Sequence, residues 1–192
     1  MINPRNIQDV IPSGFSISRC QAFGRSVADQ IGYKPGSPML KVLEGFGGEY
    51  RNVASVFGRD GDVYLIQSGG GLIAEHEAWP TLEWHSPMLN EILAEGLGHK
   101  FLHYPLVVQK HGENAGMGVP RHSKTEADRT ARQEAIHFMI GFLAPNAGIV
   151  DACRAGLDDE AIGQRFGVTQ RLAGARRKAL HAQIHAIAHV PA

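Results

Sequence analysis

The sequence predicts an α+β fold, and three observations carry that expectation. Amphipathic helical stretches open the chain, short β-rich segments separated by glycine turns follow, and long helical patterns fill the remainder. The 192 residues suit one domain, or one domain with a small appendage. Hydrophobic residues at 43% and charged residues at 20% are ordinary for a globular chain and speak against disorder.

Each element has its local reason. Ser18 precedes an amphipathic stretch over 19–31, read as the first helix; Gly32 and Lys34-Pro35-Gly36 stop it. Ser37-Pro38 supplies an N-cap and a first-turn proline for a short helix that ends at Gly47-Gly48. Residues 50–57, 63–67 and 72–76 are rich in β-formers. Arg59-Asp60-Gly61 and Ser68-Gly69-Gly70-Gly71 separate them as hairpin turns would, so a small antiparallel meander is expected. Ser86-Pro87 opens a helix over 88–104, with Pro105 beyond its end. Residues 111–124, rich in glycine, histidine and charge, read as a mobile loop; a long helix over 125–143 then runs to Ala144-Pro145. The tail from Asn146 is helical in pattern, giving an expected division into 1–145 and a helical segment at 146–192.

Composition excludes some classes of function. The formal net charge is zero, so no global field steers the chain to nucleic acid or to a membrane. No apolar run approaches the ~20 residues of a membrane span, and residues 1–5 lack the character of a secretion signal. Cys20 and Cys153 lie far apart, with no CxxC pair, as free thiols of a reducing compartment do. A cytoplasmic protein with no membrane partner is expected.

Two helices carry polar groups on apolar faces. At 100° per residue, Glu95 and His99 share the face of Met88, Ile92 and Leu102. In the next long helix Glu134 shares a face with Ala127, Ala131, Phe138 and Gly141. A carboxylate or imidazole in such a stripe is costly unless paired or metal-bound. Either a hydrogen-bonded Glu–His cluster or a metal site satisfies them, and the spacing does not decide.

The segment Ala94-Glu95-Gly96-Leu97-Gly98-His99-Lys100-Phe101-Leu102-His103 resembles the motif helix of the ImmA/IrrE family of metallopeptidases, which reads like A-H-E-L-G-H-x-x-L-H. Glu134 to Pro145 resembles that family's second helix. Residues 27–36 and 43–48 look like its N-terminal helices, and residues 156–168 like its small C-terminal helical segment. The resemblance implies a zincin-like minimal fold, with a small sheet packed on the motif helices and a helix-turn-helix-like segment at the C-terminus. It also implies a zinc site in which His99 matches the second zinc-binding His and Glu134 the third ligand. Glu95 stands where the first His is expected, and Gly96 stands at the catalytic Glu, leaving no catalytic residue at the general-base position. Two carboxylates around one imidazole would favour harder divalent ions than a two-His site does; a metal-free protein is the other outcome.

Other histidines offer themselves as supplements. His103 gives H-K-F-L-H with Lys100 where a Glu would help, although a His so near a helix end is commonly a surface or capping residue. His137, one turn after Glu134, is a candidate fourth ligand or a polar partner of Glu95 or Glu134. His76-Glu77 reads as a strand end because Pro80 forbids a helical H-E-x-x-H. His181, His185 and His189 form a stripe read as a solvated face. In the tail, Arg171, Arg176, Arg177 and Lys178 are candidate contacts to DNA or to a protein partner.

The resemblance implies a regulatory protein that acts on, or binds, a helix-turn-helix repressor in stress, phage or mobile-element control. Gly96 implies weak zincin-type hydrolysis or none. The alternatives are a DNA-binding regulator using the C-terminal helices, and a metal-dependent hydrolase with a rearranged site.

Overall fold

The hydroxyl of Ser16 accepts a hydrogen bond from Arg19 N and starts helix α1 (Ile17–Gln30), two residues before the expected cap at Ser18. This computed structural model describes residues 6–51, 62–75, 86–120 and 122–181. Before α1 runs strand β1 (Ile7–Asp9); after it come α2 (Met39–Gly45), β2 (Glu49–Arg51), β3 (Asp62–Ile66) and β4 (Leu72–Glu75). Then follow α3 (Pro87–Leu102), α4 (Tyr104–His111), β5 (Gly116–Pro120), α5 (Glu126–Leu143), α6 (Asn146–Arg154), α7 (Asp159–Phe166) and α8 (Gln170–Ala179).

The α+β class holds, but the sheet is not an antiparallel meander. Its order is β1-β5-β3-β4-β2. Among the described residues only β3 with β4 and β3 with β5 are antiparallel; β1 runs parallel to β5, and β2 parallel to β4. The expected turn at 68–71 does join β3 to β4, with Gly69 and Gly70 at φ 87° and 84°, a conformation glycine adopts without a Cβ clash. Strand β2 pairs with β4 rather than β3, in a parallel register that places Tyr50 beside Ala74. The expected turn at 59–61, residues 52–57 and His76 lie outside the described residues.

Pro105 lies beyond the end of α3, as expected, but inside the first turn of a further helix, α4, where its missing N–H costs nothing. The stretch 111–124, read as a mobile loop, is corrected. Residues 116–120 form a buried strand between β1 and β3. Gly116 lets the strands approach closely there: a Cβ would stand 3.1 Å from the Ile66 carbonyl oxygen, a tight contact.

Helix α3 is buried on nearly every side, so a single-face reading of it fails. Ile92, Leu102 and His99 are buried, whereas Met88 is exposed. Helix α5 keeps the expected stripe of Ala131, Glu134, Phe138 and Gly141, with Ala127 outside it. Glycines let the backbones meet. A Cβ at Gly141 would lie 2.0 Å from Gln21 O of α1, and one at Gly98 would lie 2.9 Å from Ala135 Cα. Thr125 and Asp128 close the start of α5 with a reciprocal capping box.

The C-terminal helices share this core. Ile149, Ile162, Phe166 and Val168 belong to one buried cluster with Leu93, Phe138 and Leu143. Asn90 of α3 accepts from Met39 N at 2.9 Å and donates to Gly167 O at 3.0 Å. Glu91 accepts from Thr169 N at 2.7 Å, which fixes the start of α8. Among the described residues no single helix is long and apolar enough to cross a membrane.

Candidate functional site

Helices α3 and α5 bring together three of the chain's buried polar side chains: His99, His103 and Glu134. Their exposures are 0%, 0% and 4%. Nδ1 of His99 lies 3.0 Å from Nδ1 of His103, and Nε2 of His103 lies 2.8 Å from Oε2 of Glu134. Glu134 also accepts from the backbone N–H of Ser13 on Oε2, at 2.8 Å, and of Gly14 on Oε1, at 2.7 Å. The carboxylate therefore pins the segment before α1 to the middle of α5.

Proton positions follow from the partners. Burial works to raise the Glu134 pKa, but hydrogen bonds from His103 and Ser13 outweigh it and hold the carboxyl below its ordinary range. An ionised Glu134 accepts, so Nε2 of His103 carries a hydrogen. The Nδ1 atoms of His99 and His103 share one hydrogen between them, which leaves Nε2 of His99 as the remaining ring nitrogen. That atom is buried without a partner. Burial, then the neighbouring His103 and Arg132, push His99 well below the ordinary imidazole range, so it stays neutral.

This arrangement is a chain rather than a cage. The His103 ring spends both nitrogens spanning His99 and Glu134, so the donors do not converge on one point. Among the described residues no group of three or more His, Cys, Asp and Glu could hold a metal ion. The zinc set implied by the resemblance does not fit these positions as they stand.

No family model, no curated protein and no solved structure matches this chain. The chemistry of the site therefore rests on its own geometry.

The other expected residues lie elsewhere. Glu95 turns to Arg132, with Nε 3.3 Å from Oε1. Burial raises its carboxyl to about 6, against the pull of Arg132. His137 does not join Glu134; it sits near Arg176, and burial, then that cation, lower its pKa. Gly96 is a packing glycine: a Cβ there would meet the Tyr64 ring at 2.9 Å. That ring lies 5.5 Å from the His99 ring, and its hydroxyl donates to Ile92 O at 2.9 Å.

His103 had a signal in the sequence, the one-turn spacing from His99, but its place at a helix end spoke for a surface or cap. It is indeed the residue between α3 and α4, and it is also wholly buried. Ser13 and Gly14 act through backbone N–H groups, which no side-chain pattern reveals.

In the C-terminal segment the left-handed Gly167, at φ 64°, ends α7 and leads into α8. Arg171 and Lys178 are exposed. Arg177 is held by Asp159, with Nε 2.9 Å from Oδ1. Arg176 is 7% exposed and binds the side chain of Asn146.

Proposed function

We propose that this chain is an ImmA/IrrE-like regulatory protein of the cytoplasm that binds a helix-turn-helix repressor or a related protein partner without zincin-type hydrolysis. The observation that carries this reading is the seat of Gly96. The ring of Tyr64 fills the space into which a general base at that position would project. The polar groups on α3 and α5 support the same reading. Glu134 is already occupied by Ser13, Gly14 and His103, and the three side chains are closed from solvent. A hydrolytic site needs a base within reach of a reacting water, and His99, His103 and Glu134 are all closed from solvent. The exposed Arg171 and Lys178 on α8 offer the partner a contact surface.

The experiment is to incubate the full chain with repressors of the helix-turn-helix class, with and without added zinc or manganese. Binding is followed by light interferometry and cleavage by mass spectrometry. Binding of intact repressor with no metal-dependent fragment is the expected result. Metal-dependent cleavage that Glu134→Gln abolishes overturns the proposal.

A further inference from the structure

Residues 11–15 join β1 to α1, and none of them is fully buried. Val10 before them and Cys20 after them are, at 4% and 0% exposure. Among the described residues, the hydrogen bonds that tie this segment to α5 all end on one group. Ser13 and Gly14 donate their backbone N–H groups to the two oxygens of Glu134, at 2.8 and 2.7 Å. Phe15 N turns back to Ser13 Oγ at 3.2 Å, and Phe15 O takes a long contact from Cys20 Sγ at 3.8 Å. Pro12 has no N–H to give. Ile11 and Phe15 bury only part of their surfaces against the core. A segment with few buried apolar contacts and one polar tie opens at a lower free energy than the body beneath it.

The body does not need the segment in place. Helix α1 meets α5 backbone to backbone: a Cβ at Gly24 would lie 2.1 Å from Phe138 O, and one at Gly141 would lie 2.0 Å from Gln21 O. Strand β1 is held by its pairing with β5. Both ends of the segment are therefore anchored without Glu134, and its middle is latched by that carboxylate. Gly14 sets the bend, with φ at 70°, and a Cβ there would meet nothing within 4 Å. An L side chain at this position costs through the backbone alone. Strain can thus be placed on the closed segment without touching Glu134, His103 or any packing.

We propose that residues 11–15 are a strap that lifts from the folded protein as a unit, with Glu134 as its latch and β1 and α1 as its fixed ends. In the closed state both oxygens of Glu134 are taken and the thiol of Cys20 is covered. Lifting removes the two N–H donors, leaves the carboxylate with His103 as its remaining partner, and opens a path to Cys20. The strap thereby decides when the buried carboxylate meets anything outside the fold. This device does not depend on the repressor-binding reading above.

The test uses the two thiols of the full chain. Cys20 lies under the strap, whereas Cys153 lies on α6 near Asp159 and Arg177. The protein is treated with N-ethylmaleimide at fixed pH and at urea concentrations below its unfolding transition, and each cysteine is followed by peptide mass. Cys20 should be modified faster than global unfolding permits, with a shallow urea dependence, because lifting exposes little surface. Gly14→Ala should speed Cys20 by roughly fivefold or more and leave Cys153 unchanged. Glu134→Gln should speed Cys20 as well. Modification of Cys20 only at the rate of global unfolding, with its full urea dependence, overturns the proposal. So does a Gly14→Ala rate equal to wild type, or one that rises equally at Cys153. Should either variant fail to fold, the urea dependence of the unmodified protein decides the matter alone.

Discussion

His103 donates from Nε2 to Oε2 of Glu134 at 2.8 Å, with both side chains closed from solvent. This contact joins the end of α3 to the middle of α5, and through Ser13 and Gly14 it also fixes the segment before α1.

Acid should undo it. The folded-state pKa of Glu134 lies below its ordinary value, so its contribution is present above the unfolded glutamate pKa and lost as pH falls through the folded one. The loss begins below about pH 4.3. Urea unfolding at stepped pH should show wild-type stability falling faster in that window than Glu134→Gln stability. At neutral pH the Gln variant should be weaker by ~1–3 kcal/mol. Parallel pH slopes for the two proteins would contradict the assignment.

Glu95 should behave in the opposite sense. Its carboxyl is raised from 4.5 to about 6 by burial, partly offset by Arg132. The folded state therefore binds a proton more readily than the unfolded one, and this group's contribution worsens as pH rises from about 4.5 through 6. Glu95→Gln should raise stability at pH 7.5 by ~1–2 kcal/mol, the scale of such a rise. The difference between the two proteins should vanish near pH 4.5. A Gln variant weaker than wild type at pH 7.5 would show that the Arg132 pair outweighs desolvation.

Gly96 offers a test of packing. Alanine normally favours a helix interior over glycine by ~1 kcal/mol, but here its Cβ would press on the Tyr64 ring at 2.9 Å. Gly96→Ala should destabilise by ~1–3 kcal/mol, as overpacking does. In a Tyr64→Ala background the same change should be neutral or stabilising. Equal effects in both backgrounds would remove Tyr64 as the obstacle.

Two further glycines should respond with opposite signs. A Cβ at Gly141 would lie 2.0 Å from Gln21 O, a backbone atom that cannot rotate away, whereas Gly45 of α2 has open space around it. Gly141→Ala should cost more than ~3 kcal/mol, in the range of severe core disruption. Gly45→Ala should be neutral or gain up to ~1 kcal/mol. Thermal melts of the two variants, read against wild type, check both.

The helices were legible because their cues are local. Ser-Pro starts, glycine stops and apolar spacing announced α1, α2, α3 and α5 to within a few residues. Strand β5 was not, since Gly116-Met117-Gly118-Val119-Pro120 has poor intrinsic β character and becomes a strand only between β1 and β3. The three residues of β1 are too few for any alternation to show. The polar chain was half legible. Glu134 and His99 stood out on apolar faces, while His103 was hidden by its place at a helix junction. Glu95 misled because helical spacing gives direction but not depth, and α3 is buried too widely for one face to count.

The N-terminal segment has a consequence for how the chain reaches its fold. Ile7 pairs with Gly116, and Gly14 bonds Glu134 across 120 positions of sequence. Residues 7–14 are therefore secured by some of the latest-formed contacts, since loop closure over such separations is slow relative to local helix formation. Until β1 docks, β5 lacks its outer neighbour and its open edge is free to pair with another chain. Aggregation during synthesis should concentrate in that interval, and it should be the docking of residues 7–14 that ends it.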